Sequence, residues 1–101
     1  MTTFAFVPDL MDRSRLGGLD VTFVARPEEL TAAREGDLVV VDLARPGVLG
    51  AVGGLAAGVR TIGFGSHVDR DLLDAARAAG CEEVMARSEF FRRARELLRT
   101  A

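Results

Sequence analysis

Short apolar runs alternate with stretches of helical period along this chain. Leu38-Val39-Val40-Val41 is apolar on both faces, the pattern of a parallel strand covered on two sides. Thr2–Val7, Val21–Ala25, Thr61–Phe64 and Glu83–Ala86 are β-branched or aromatic runs that read as four further strands. Between them lie five helical stretches with recognisable punctuation. The first runs from about Asp9 to Leu16, before Gly17-Gly18. The second opens on Pro27 with Glu28 and Glu29 in its first turn, and Gly36 can close it. The third lies within Gly47–Ala57 and is weak by propensity, since Gly50, Gly53 and Gly54 interrupt it; close packing on the sheet would explain them. Ser66 opens a Ser-x-x-Asp pattern ahead of Leu72, Leu73, Ala76 and Ala79, with Gly80 as the stop. In the last stretch Ser88 can cap a helix whose Phe90, Ala94, Leu97 and Ala101 form one apolar stripe. Strands and helices alternating at this spacing predict βαβ crossovers and a parallel sheet.

Length and composition narrow the class. A chain of 101 residues reads as a single domain, 1–101, large enough for one core without disulfides. Hydrophobic residues are 49% and charged residues 28%, which excludes a disordered chain and a coiled coil. Net charge is −2, so nothing global favours nucleic acid. All thirteen basic residues are arginine, which removes Schiff-base and P-loop lysines. The lone Cys81 and lone His67 read as a buried thiol and a surface loop residue. The longest uncharged run, Pro46 to Val59, falls short of the roughly 20 residues a membrane span needs. No basic n-region precedes the first strand, so no signal peptide is expected and a cytoplasmic protein is.

Two carboxylates fall at strand ends: Asp9, after the first strand, and Asp42, after Leu-Val-Val-Val. In a doubly wound sheet of order 2-1-3-4-5, ligands bind beyond the strand carboxyl ends, where strands one and three diverge. Carboxylates paired there could hold Mg²⁺; alternatively each simply starts a helix or loop. No Gly-rich phosphate loop and no nucleophile–base pair accompanies them: Gly63-Phe64-Gly65 lacks a third glycine at Val68, and Ser66-His67 has no third partner.

Asp37-Leu-Val-Val-Val-Asp42-Leu-Ala-Arg-Pro46-Gly47 resembles the phosphoacceptor strand and loop of response-regulator receiver domains. Thr61-Ile-Gly-Phe-Gly-Ser-His67, followed by Asp71-Leu-Leu-Asp-Ala-Ala-Arg-Ala-Ala-Gly80-Cys-Glu-Glu-Val-Met-Ala-Arg87, is similar to that family's second half. The resemblance implies an α/β, flavodoxin-like fold: five parallel strands in the order 2-1-3-4-5 with helices on both faces. It puts Asp42 at the phosphoacceptor position and makes Asp9, Asp42 and the Ala44 carbonyl the ligands of a Mg²⁺ ion. The pattern departs from the family at several of these places. Pro8 replaces one of two consecutive acids, Gly65 stands where a hydroxyl residue ends strand four, and Ser66 follows one residue late. Arg87 stands where a lysine is usual, and a guanidinium fork does not replace a compact ammonium.

A degenerate receiver is therefore the leading expectation: a stand-alone signalling module, not an enzyme, acting by protein–protein contact with impaired phosphoacceptor chemistry. The resemblance puts its partner, another protein or a second copy, on the fourth helix, fifth strand and last helix. The last helix carries Arg92, Arg95 and Arg99; residues 87–101 hold five arginines against two glutamates, while residues 1–86 hold eight arginines against thirteen acids. A solvated helix face gives the same pattern. The alternatives are a working receiver phosphorylated on Asp42 with Mg²⁺, and a small flavodoxin-like ligand binder or enzyme.

Overall fold

In the computed structural model, which describes residues 1–99, five strands form one all-parallel sheet of order β2-β1-β3-β4-β5. They are β1 (Thr3–Phe6), β2 (Thr22–Phe23), β3 (Leu38–Asp42), β4 (Arg60–Gly65) and β5 (Glu83–Ala86). The α/β, flavodoxin-like architecture expected from the alternating pattern is present. All five residues of β3 are buried, because β1 and β4 pair with it on either side and helices cover both faces.

Alternate residues of each strand leave the sheet in opposite directions, and the core follows this period. On one face Ala5, Val7, Val40, Ile62 and Phe64 pack with Leu16, Phe90, Ala94 and Leu98. Leu16 caps the end of α1 (Leu10–Arg15), Phe90 and Ala94 lie within α4 (Arg87–Leu97), and Leu98 caps its end. On the other face Phe6, Val39, Val41 and Leu43 meet Leu30, Val48, Val52 and Ala76, brought by a 3₁₀ helix (Pro27–Ala32), α2 (Val48–Gly53) and α3 (Arg70–Ala78). Phe64 and Phe90 stack with centroids 4.8 Å apart, and Phe91 meets both edge-on.

Several local expectations need correction. The stretch after Pro27 is a 3₁₀ helix that ends at Ala32, so Gly36 does not close it. Leu30 within it and the capping Ala33 are buried, three apart, which suits three residues per turn rather than 3.6. Gly36 instead serves a later turn with φ of +89°. The cap of α3 is Asp69, whose carboxylate accepts from the Leu72 amide at 3.2 Å; Ser66 lies earlier in the loop and accepts from Val68. Gly80 does stop α3, with the Cys81 amide donating to Ala76 and the Gly80 amide to Arg77. No loop separates β5 from α4, so Ala86 occupies the cap position and Ser88 is already inside the first turn. The buried stripe of α4 is Phe90, Ala94 and Leu98; Leu97 is half-buried, and Ala101 lies outside the described residues. In α2, Gly50, Gly53 and Gly54 are exposed, and a Cβ at Gly50 would meet nothing within 4 Å, so close packing on the sheet does not account for them. No helix among the described residues is long and apolar enough to cross a membrane.

Candidate functional site

The carboxyl ends of β1, β3, β4 and β5 bring together the residues singled out in the sequence. Asp42, the last residue of β3, is 5% exposed. Its Oδ1 accepts from the Ala44 amide at 3.1 Å and its Oδ2 from Arg45 Nε at 3.4 Å. A carboxylate this deep requires a compensating charge and hydrogen bonds, and Arg45, three residues on, supplies both. Asp9 follows β1 and caps α1, accepting from the amides of Met11 and Asp12 at 2.9 and 3.0 Å. Helix capping, one of the two readings of this residue, is what its carboxylate does. A divalent cation at these positions would compete with Arg45 for Asp42 and with the α1 amides for Asp9. Among the described residues no three His, Cys, Asp or Glu side chains converge to hold a metal.

The most deeply placed acid of the region is one that sequence reasoning missed. Asp12, in α1, is 2% exposed and pairs through Oδ1 with the Arg87 guanidinium. Its Oδ2 is buried with no hydrogen-bond partner among the described residues. A signal was available: Asp12 lies four residues before Leu16, so the helical period puts it on the core-facing side of α1. A charge at such a position demands a partner from elsewhere in the fold.

Arg87 provides it from the β5–α4 junction. Its guanidinium also lies over the rings of Phe64 and Phe91, 5.6 and 5.3 Å from their centroids. The hydrogen bond to Asp12 raises its pKa; burial opposes, and the charges of Asp12, Asp42 and Asp9 add to the rise. Asp9, Asp12 and Asp42 therefore share one electrostatic neighbourhood, centred on an arginine.

Between these walls opens a cleft of about 670 Å³, lined by Asp42, Ala44, Arg45, Pro46, Gly65, Ser66, His67, Arg87 and Ser88. Ser66, one residue late in the sequence pattern, nevertheless reaches the cleft. At Gly65 an added Cβ would meet the leucine carbons of Leu73, Leu72 and Leu43 at 3.5 to 3.8 Å. His67 is exposed at the rim, as expected of a loop residue. Cys81 is 5% exposed, and burial pushes its thiol up to about 11, so it is poorly placed to act as a nucleophile.

The arginines of α4 divide into two sets. Arg93 pairs with Glu89 at 2.9 Å and with Glu96 at 3.0 Å. Arg92, Arg95 and Arg99 are exposed, and none forms an ion pair among the described residues. Arg92 and Arg95 lie on the far side of α4 from Phe90 and Ala94, and Arg99 follows the end of the helix. Comparison with protein-family models, curated proteins and solved structures gives no match for this chain.

Proposed function

We propose that this chain is a receiver-like regulatory module that acts by protein–protein contact and whose aspartate site has impaired phosphoacceptor chemistry. The observation that carries the reading is the state of the strand-end acids. Asp42 lies at the switch point of a 2-1-3-4-5 sheet, where such chemistry would be sited. Yet each acid near this sheet edge is already engaged within the chain: Asp42 by Arg45, Asp12 by Arg87, Asp9 by the start of α1. A phosphoryl group arriving at Asp42 would have to break the Arg45 pair, and Gly65 offers it no hydroxyl. Nor does the cleft contain a nucleophile–base pair, which disfavours an enzyme.

The contact surface in this reading is α3, β5 and α4, with Arg92, Arg95 and Arg99 meeting an acidic face of a partner or of a second copy. Incubation with acetyl phosphate and Mg²⁺, followed by intact mass measurement, tests the chemistry. The expected result is no stable adduct. An adduct that forms with Mg²⁺ and is lost in Asp42→Asn would instead establish a working receiver, with Asp9, Asp42 and the Ala44 carbonyl as the metal ligands. Replacing Arg92, Arg95 and Arg99 together with Glu tests the surface. Association measured by sedimentation or by capture of a partner should change while the circular dichroism spectrum does not; unchanged association would reduce these arginines to a solubilising role.

A further inference from the structure

The cleft at the strand ends holds more hydrogen-bond donors than its own residues use. Arg45 gives only Nε to Asp42, and Arg87 only one terminal nitrogen to Asp12, out of the five N–H groups on each fork. Both side chains are about two-fifths open to solvent, 41% and 42%. Ser88 adds a hydroxyl, and the Ser66 hydroxyl accepts from Val68 while keeping its own proton to donate. The carboxylate on these walls, Asp42, has both oxygens engaged. Ala44, Pro46 and Gly65 supply a small apolar wall beside the donors.

We infer that this cleft is a metal-independent site for a small organic phosphate monoester, held non-covalently with its head between Arg45 and Arg87. A volume near 670 Å³ is within the range of small-molecule pockets, roughly 300–1,000 Å³. A tetrahedral dianion has three terminal oxygens and can take donors from two forks and a hydroxyl at once. A carboxylate has two oxygens and is satisfied by one fork. The organic body of the ester would rest on Ala44, Pro46 and Gly65. The inference stands on the donor arrangement and does not depend on the receiver-like reading.

Phenyl phosphate titrated into the full chain in EDTA, followed by calorimetry, tests it. Benzoate, inorganic phosphate and benzyl alcohol serve as comparators. Phenyl phosphate should saturate a single site, bind about tenfold or more tighter than benzoate, and outbind inorganic phosphate; benzyl alcohol should not bind. Because Arg45→Ala strands the buried Asp42 carboxylate, the contribution of Arg45 is read in the double variant Asp42→Asn/Arg45→Ala, where affinity should fall by about tenfold or more relative to Asp42→Asn. Asp42→Asn removes a negative charge beside the head and should tighten binding. Because Arg87→Ala strands a buried acid, the contribution of Arg87 is read in the double variant Asp12→Ala/Arg87→Ala, where affinity should again fall. Absence of saturable binding, equal affinity in Asp42→Asn and Asp42→Asn/Arg45→Ala, benzoate binding as tightly as phenyl phosphate, or binding that requires Mg²⁺ would each overturn the inference. Phosphorylation of Asp42 by acetyl phosphate would refute the impaired phosphoacceptor chemistry proposed above without touching this inference.

Discussion

Truncating Arg87 to Ala should be the most costly single change at the carboxyl edge of the sheet. The Asp12 side chain is 3% exposed, whereas that of Arg87 is 42% exposed. Removing the arginine leaves a buried carboxylate with neither oxygen bonded, and breaking a buried pair in this way costs about 3–5 kcal/mol. Water reaching the space that Arg87 vacates can solvate part of that charge, which favours the lower end, about 3 kcal/mol. Contacts with the Phe64 and Phe91 rings are lost too, at about 0.5 kcal/mol each for a half-exposed site. The expected loss is about 3–4 kcal/mol, a large share of the 5–15 kcal/mol typical of a domain.

The reverse truncation should be milder. In Asp12→Ala the arginine can turn into solvent, and the buried oxygen that lacks a partner disappears with the carboxylate, so the cost should be about 1 kcal/mol. The double variant should cost well under the sum, with a coupling of about 2 kcal/mol. The chain has no Trp or Tyr, so urea unfolding is best followed by far-ultraviolet circular dichroism. Equal losses for the two single variants, or additivity in the double, would refute a desolvated Asp12–Arg87 pair.

Three other expectations are independent of that pair. Gly63→Ala should destabilise by about 1–3 kcal/mol in the same assay, because its Cβ would lie 2.8 Å from a Leu43 methyl and 3.0 Å from Cys81 Sγ in a packed layer. Asp37 accepts from the amides of Thr2 and Arg34, which hold its carboxyl below the ordinary value of 3.8. Its contribution is present above that ordinary value and is lost as pH falls through the lower folded one; a carboxyl carbon shift titrating at or above 3.8 would contradict this. The Cys81 thiol, pushed up to about 11, should resist a disulfide exchange reagent at pH 8 and react at the rate of unfolding, so rapid reaction of the native protein would count against its burial.

The frame of the molecule was legible because strand and helix periods differ and because β3 is apolar on both faces. Alternation gave the parallel sheet, and the glycine after α3 marked its end. Capping was less legible, since Ser66 and Asp69 both stand ahead of the apolar residues of α3 and only the chain path selects between them. Asp9 and Asp42 were visible as strand-end acids, yet their partners were not equally so. Arg45 is local to Asp42, three residues along the chain. Asp12 and Arg87 are separated by 75 residues, and only the neighbouring positions of β1, β3, β4 and β5 at one sheet edge, with α1 and α4 on one face, bring them together.

An acidic cleft can be neutralised by a bound divalent cation or by arginines of its own chain, and the two solutions respond to different signals. A cation leaves when its concentration falls, so the cleft's charge follows the solution. A guanidinium is tethered and stays protonated at any physiological pH, so its charge does not. What can change at such a site is the set of acceptors facing the forks. Asp42 uses one N–H of Arg45, and Asp12 engages one nitrogen of Arg87. The remaining N–H groups are open to an incoming oxyanion without first breaking either pair. Occupancy would then tighten the β3–α2 loop through Arg45 and the β5–α4 junction through Arg87 at once. Because β5 and α4 also carry the proposed contact surface, ligand at the cleft and partner at α4 would be linked, each strengthening the other by the same factor. Equal partner affinity with and without saturating phenyl phosphate would show that the two surfaces act independently.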